Sequence, residues 1–265
     1  MTPAQFARAA EHLLAAHERR ERFAPLPAEL APRTPEEGYA IQDAFVALRA
    51  QQRGAIVGYK IALASPQMRR FAGVEQPQAG AILESTVRRS PARLRLADYV
   101  RLIVEFEIAV EMAADLPVAD APFTRERVAQ AVASVAAALE IADDRGADYA
   151  TLPQHPFELI ADNTWNEGVV LGEAVKDWAG IDLAAVRGVA RVNGRPIGEG
   201  RGADAMGHPL ASVAWVADHL AAHGRGLLRG DFVITGSLVT SFAPQRGDRI
   251  RFSAQRLGEV ELEIE

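Results

Sequence analysis

Residues 100–112, "VRLIVEFEIAVEM", alternate almost without a break. Val104, Phe106, Ile108 and Val110 project to one side, and Glu105, Glu107 and Glu111 to the other, because successive side chains of a β-strand point to opposite faces. A chain carrying this strand must build a sheet with one face on an apolar core. It must also find a place for three carboxylates with little Lys or Arg beside them. Two readings are open. The acids face water, as the polar side of an antiparallel strand commonly does, or they hold a cation.

The rest of the chain breaks into short elements. Thr2-Pro3 followed by Gln5 reads as a capped helix start, and Phe6, Ala10, Leu13 and Leu14 continue at helical spacing. A second start follows at Thr34, with Pro35 next, Glu37 completing a capping box and Gly54 ending the helix. Beyond this helical region (1–55), strands are expected in "AIVGYKIALAS", around 168–172 and 187–193, in "DFVITGSLVTSF", and in "DRIRFSA" and "GEVELEI". The last two form a hairpin turning at Gly258. "SPQMRRFAG" reads as a short helix or turn, and "AGAILESTV" as a loop leading into a short strand. Val128, Val132, Val135 and Leu139, spaced 4, 3 and 4, predict a helix through "TRERVAQAVASVAAALEI", with "LEIA" opening the next strand. "HPLASVAWVADHLAAHG" is a further helix. Helices followed by many strands with two helices among them do not make a βαβ alternation. The order predicts an α+β fold with a largely antiparallel or barrel-like sheet. It fits one domain over 1–265 with a β-rich core over 56–265, since no linker is long enough to force two.

Composition excludes several classes. A net charge of −6 gives no electrostatic footprint for nucleic acid. The absence of cysteine removes disulfides, thiolate metal sites and cysteine nucleophiles, and fits a reducing cytosol. The longest Ala/Val-rich run, "AVASVAAALEIA", is too short to cross a bilayer. The first twenty residues lack the basic start and apolar middle of a signal peptide. A soluble cytoplasmic protein without nucleic-acid or membrane partners is expected.

The candidate chemistry starts at Glu105 and Glu107. Residues i and i+2 of a strand share a face roughly 7 Å apart, and two carboxylates at that spacing can grip a hard cation such as Mg²⁺ or Mn²⁺. Glu140 sits in the apolar setting "AAALEIA", where a buried carboxylate needs a partner or a metal; a surface place at the helix end is the alternative. Lys60, in "VGYKIALAS", either snorkels to the surface or sits partly desolvated with a lowered pKa, able to move protons or bind a carboxylate. Asp162, Asn163, Trp165 and Asn166 in "ADNTWNEGVVLG" form a turn or a site wall. Gly236 within "GSLV" marks either a close backbone approach or a bulge. His155 and His208, each before a proline, read as structural. No dinucleotide fingerprint, P-loop or nucleophile elbow is present.

Taken together, "GYKIALAS", "VEQPQAGAIL", "VEFEIAV", "ALEIADDR", "ADNTWNEGVVLG", "HPLASVAWVADHL" and "GDFVITGSLV" resemble, in order and spacing, the 2-keto-4-pentenoate hydratases. With the 4-oxalocrotonate decarboxylases these belong to the fumarylacetoacetate hydrolase superfamily. The resemblance covers nearly the whole chain. It implies a mixed β-barrel or roll behind a helical N-terminal region, and a homo-oligomer. It implies Mg²⁺ or Mn²⁺ on Glu105, Glu107 and Glu140, a catalytic Lys60, and substrate contacts from Gln78, Leu83, Trp165 and Ser237. Two departures stand out. The family's "PDFG" or "PDYG" is "PQAG" here, putting Gln78 where an acid is expected. Its "DNAS" is "DNTW", putting Trp165 where a small serine is expected.

The implied activity is a metal-dependent hydratase acting on a 2-keto acid or its 2-hydroxydienoate form, through an enolate on the metal. Lys60 would neutralise the substrate carboxylate or shuttle a proton. A decarboxylase or tautomerase would use part of the same machinery. An acylpyruvate carbon–carbon hydrolase needs an activated water, for which the N-terminal part offers no obvious His-Glu pair. A catalytically impaired metal-binding homologue, serving as partner of a pathway decarboxylase, is the remaining alternative, with Gln78 and Trp165 as its support.

Overall fold

The computed structural model describes residues 1–265. Two helices open the chain, α1 (Pro3–Glu18) and α2 (Pro35–Arg53). There follow β1 (Ile56–Ala62), α3 (Pro66–Ala72), β2 (Gln78–Leu83), β3 (Val87–Arg89), β4 (Ala92–Leu94), β5 (Leu102–Met112), α4 (Arg125–Gln130), β6 (Val132–Asp143), α5 (Pro156–Ala161) and β7 (Asn166–Leu171). The chain ends with β8 (Arg187–Val192), β9 (Arg195–Arg201), α6 (Pro209–Ala222), β10 (Phe232–Ile234), β11 (Val239–Phe242), β12 (Arg249–Ala254) and β13 (Gly258–Ile264). No helix is long and apolar enough to cross a membrane.

The N-terminal helices start where the sequence predicts. Thr2 and Gln5 form a full capping box, with Thr2 accepting from the Gln5 amide and Gln5 from the Thr2 amide. At α2 only half of the expected box forms. Thr34 accepts from the Glu37 amide at 3.2 Å, but the Glu37 carboxylate turns to the amide of Arg33 and to the N-terminal ammonium instead. A free cation within reach outcompetes the backbone donor of the cap.

One sheet has the order β2-β1-β10-β5-β6-β7-β3, with β11 also pairing β5. The β1–β10 and β3–β7 pairs are parallel and the others antiparallel. The sheet curls until β2 lies against β7, giving a half-barrel. A second sheet, β4-β13-β12-β8-β9, and α6 cover its outer face. Val104, Phe106, Ile108 and Val110 meet Ile250, Phe252, Val260, Leu262, Val213 and Val216 there in the main core. Phe106 is fully buried, so Phe106→Ala should cost about 3–5 kcal/mol.

The other side of β5 lines the inside of the curl, and it answers both readings of the acids. Glu105 and Glu107 lie at one end. Ala109 follows, packed with Ile82, Ala138, Val169, Phe232 and Ile234. Glu111 is exposed at the far end and accepts the Ser134 hydroxyl at 2.7 Å. The solvated reading holds for Glu111 alone.

Several elements differ from the sequence-based expectation: β4 was not expected, the strand expected over "DFVITGSLVTSF" is split into β10 and β11, and three others have a clear physical reason. The helix expected through 124–141 is only α4; residues 132–143 are strand β6, buried on nearly every side chain. A strand covered on both faces loses its alternation, so an Ala/Val-rich run of this kind mimics a buried helix. Strand β9 was not expected because Pro196, Gly198 and Gly200 break any strand pattern. Those glycines are required by contact: a Cβ at Gly200 would lie 1.8 Å from the Leu238 carbonyl oxygen. The loop expected over "AGAIL" is β2, completely buried between β1 and α2.

Candidate active site and metal centre

The β5–β6 register places Glu105 directly opposite Glu140, with Glu107 two residues along β5. All three carboxylates therefore share one face of adjacent strands, and one oxygen from each lies within 4.8 Å of the others. Glu140 thus comes from mid-strand rather than from a helix exit. Glu107 and Glu140 are fully buried, and Glu105 is half-buried toward the opening.

Each buried acid has one oxygen held and one left over. Glu107 Oε2 accepts the Gly236 amide at 2.7 Å. Glu140 Oε1 accepts Asn166 Nδ2 at 3.0 Å and faces Lys60 Nζ at 3.1 Å. Glu107 Oε1 and Glu140 Oε2 have no partner. An orphaned buried carboxylate oxygen is costly, and here two of them point at a common problem. Three carboxylates against one ammonium leave two negative charges in a dry site. Burial and the neighbouring acids push Glu105 up to about 7 and Glu107 well above the ordinary carboxylate range. A divalent cation supplies the missing charge and ligand, and all-oxygen donors suit Mg²⁺ or Mn²⁺. The residues fit such an ion.

Lys60, on β1, is buried. Burial opposes its charge, but Glu140, Glu105 and Glu107 outweigh it, and its pKa is raised. The lowered pKa expected from desolvation is therefore reversed by the crowd of acids, and Lys60 is a resident cation. Gly236 (φ +104) brings the β10–β11 break against the site; a Cβ there would come within 2.8 Å of Ala64 Cβ. This settles its two readings in favour of close approach.

The wall opposite is the turn 163–165. Asn163, Thr164 and Trp165 all lie in the left-handed region, at φ 50°, 48° and 61°. Each costs of order 1 kcal/mol or more, so the surroundings must hold them. Asn163 does so by bracketing Ala81, accepting from its amide at 2.7 Å and donating to its carbonyl at 2.9 Å. Gly80 lets the turn approach: a Cβ there would sit 2.6 Å from Thr164 Oγ1 and 3.1 Å from Lys60 Cγ. Trp165 stacks on Tyr149 at 6.0 Å and meets the edge of Phe23 at 5.6 Å.

A cavity of about 190 Å³ connects these groups, with Lys60, Glu105, Thr164, Trp165, Gly236 and Ser237 in its lining. Ser237 accepts the Phe106 amide and donates to the Val239 carbonyl. Two expected contacts lie elsewhere. Gln78 is buried and donates to the Pro156 carbonyl at 3.1 Å, outside the lining, with its Oε1 unpartnered. Leu83 belongs to the main core beside Tyr59 and Val46, because β2 alternates: Gly80 pairs with Lys60 and faces the site, so Ala81 and Leu83 point the other way. His208 caps α6 and His155 faces Glu158, as the structural reading expects. Sequence reasoning missed His17. Its signal was its place one helical step beyond Leu13 and Leu14, on the apolar face of α1.

The fumarylacetoacetate (FAA) hydrolase C-terminal family matches residues 16–265, and the chain belongs to this family. Within it, the chain is similar to a 2-keto-4-pentenoate hydratase of Paraburkholderia xenovorans (strain LB400), 31% identical over 265 residues, 100% of this chain and 97% of the relative. It is also 31% identical to a 2-hydroxyhexa-2,4-dienoate hydratase of Comamonas testosteroni over 91% of this chain and 90% of that one. A 4-oxalocrotonate decarboxylase from Pseudomonas putida G7, complexed with magnesium and adipate, shares the fold with a TM-score of 0.88 at 26% identity, covering 100% of this chain and 99% of that one.

Proposed function

We infer that this chain is a divalent-metal-dependent hydratase acting on 2-hydroxyalka-2,4-dienoates, the enol forms of unsaturated 2-keto acids. The observation that carries the reading is the pair of orphaned oxygens on Glu107 and Glu140 beside a buried, cationic Lys60. Glu105, Glu107 and Glu140 would hold Mg²⁺ or Mn²⁺, which when bound supplies positive charge next to the keto oxygen and carboxylate of a 2-keto acid.

The chain's own residues do the rest. Asn166 and the Gly236 amide fix the carboxylates, so little reorganisation is needed when substrate enters. Lys60 Nζ, held by Glu140, is placed to pair with the substrate carboxylate or to hand a proton to the dienol carbon chain. Ketonisation moves the enol proton to C5, and water then adds its hydroxyl to C4 and its proton to C3. Trp165, Ile103, Leu152 and Leu159 exclude bulk water from the wall, which strengthens each charge inside. Gln78 carries no exchangeable acid proton, and its amide is occupied at Pro156. Proton transfer therefore falls to Lys60 or to groups on the cavity wall.

The test is direct. Chelator-treated protein should lose consumption of 2-hydroxypenta-2,4-dienoate and regain it with Mg²⁺ or Mn²⁺. Full activity without any divalent ion contradicts the reading. The likeness to the decarboxylase favours one alternative, loss of CO₂ from a 4-oxalocrotonate-type acid, and CO₂ release distinguishes it; tautomerisation would show as isomerisation without either. No histidine lines the cavity, which counts against an acylpyruvate hydrolase. An impaired homologue would bind oxalate and turn over none of these acids. The reading includes one hydratase-like domain over residues 1–265, a homo-oligomer and a cytoplasmic location, with a pathway decarboxylase as possible partner. α2 supports the single domain by reaching the core with Gln42, which donates to the carbonyls of Ala79 and Ile160. Light scattering checks the oligomer.

A further inference from the structure

The cavity has two unlike ends. Around Lys60 and Glu105 it is charged. Away from them it is walled by Leu63, Met68, Phe71, Ile103, Leu152 and Trp165. Lys60 is the one cationic side chain in the whole lining, and it stands at the charged end, 3.1 Å from Glu140 Oε1. The other ionisable groups there are acids and a phenol. Asp144 is tied to Arg101, whose guanidinium lies outside the lining, and to Tyr149. Asp204 accepts the Arg201 amide. Arg69 sits on the same helix as Met68 and Phe71, but turns back to the carbonyls of Leu63 and Ala64 at 3.3 and 2.8 Å.

A 2-keto acid that places its carboxylate and keto oxygen at the charged end must lay its distal carbons along the apolar wall. A neutral hydrocarbon end gains from that burial. A second carboxylate would lose its water, find no cation, and meet Asp144 or Asp204 as like charges. Trp165 takes up the space that a small residue would leave, and it does so with a flat apolar face backed by Tyr149 and Phe23.

We propose that this site selects monocarboxylic 2-keto acids and dienoates with an uncharged, apolar distal end, and rejects those bearing a second, distal carboxylate. The proposal rests on the hydratase reading for where the first carboxylate binds. Trp165, Leu152 and Ile103 are its specificity-determining residues, with Met68 at the mouth.

The test separates the proposal from that reading by measuring binding without turnover. Calorimetry on the Mg²⁺-loaded protein compares 2-oxohexanoate with 2-oxohexanedioate, equal in chain length and both inert to hydration. The monoacid should bind about 100-fold more tightly, the range found when an apolar pocket meets an added polar group, since the unpartnered Trp165 Nε1–H is a neutral donor and no counter-charge. Equal affinity, or tighter binding of the dioate, overturns the proposal. Met68 is 46% exposed, so Met68→Arg can be made without opening the core. It should narrow the ratio about tenfold by strengthening the dioate; an unchanged ratio overturns the stated cause. Turnover of the matching dienoates is assayed on the same samples. If neither is hydrated, the hydratase reading fails while the binding ratio still decides the proposal.

Discussion

Asn166 and Glu167 are neighbours at the start of β7, and they belong to two different groups of buried acids. Asn166 faces the Glu105, Glu107 and Glu140 group, which has Lys60 as its cation. Glu167 belongs with Asp162, and this second pair is surrounded by cations. Arg145 and His17 hold Asp162, with His17 Nε2 at 2.6 Å from it. Arg49 and Arg53 hold Glu167 at 2.6 and 2.7 Å, and His17 Nδ1 lies 3.3 Å from it. Burial opposes charge in both groups, and the outcomes are opposite. Asp162 and Glu167 have lowered pKa values because His17 and the arginines overcome burial, while Glu105 and Glu107 have raised ones. Acids in a protein interior do not by themselves mark a metal site. Nor does an unpartnered oxygen, since Glu167 Oε1 has no hydrogen-bond partner either; a deficit of positive charge around such oxygens does.

The largest expected effect tests the deficient group. Glu107→Gln should lower kcat/KM for the dienoate about 1,000-fold and abolish saturable Mn²⁺ binding, while the metal-free variant melts no lower than the parent, since it removes a like charge. In the balanced group the same logic reverses. Asp162→Ala should leave Arg145 buried without its partner and cost about 3 kcal/mol in denaturant unfolding; unchanged stability would mean the arginines are solvated. Next, metal binding should release protons. Between pH 5 and 7 the apparent affinity for Mn²⁺ should rise more steeply than tenfold per pH unit, up to about a hundredfold, because Glu105, at about 7, and Glu107, held well above the ordinary carboxylate range, both give up a proton to the metal. A pH-independent affinity would show that the acids are already ionised.

The smallest effect concerns His17. Burial lowers its pKa, but Asp162 and Glu167 prevail and raise it above 6.5. A raised value in the folded state means this stabilisation is complete below pH 6.5 and is lost as pH climbs past the folded-state value. His17→Gln should cost about 1 kcal/mol at pH 6 and flatten that alkaline decline, as read by urea unfolding across pH. An equal penalty at all pH values would remove the ionic account of this contact.

Much of this was legible in the sequence, for reasons that can be named. The alternation over β5 put Glu105 and Glu107 on one face, and the apolar setting "AAALEIA" flagged Glu140 as an acid that needs a partner, but the residues left a solvated or surface place open for each, and the resemblance joined the three. The resemblance supplied Lys60. What failed was whatever depended on long-range contact. β6 reads as a helix because both its faces are covered. β9 reads as no element because its glycines answer to Leu238 and Val239. Leu83 looks like a wall residue until the pairing of Lys60 with Gly80 shows which face of β2 meets the site. The second acid group was invisible because His17 lies 145 residues from Asp162 in the chain.

The most direct test of the account is the anomalous difference map of crystals grown with Mn²⁺. It should show one strong peak shared by carboxylate oxygens of Glu105, Glu107 and Glu140, and none beside Asp162 and Glu167. A map with no peak among the first three acids, or with the ion bound at the arginine-rich group, would contradict the claim that unbalanced charge defines the site.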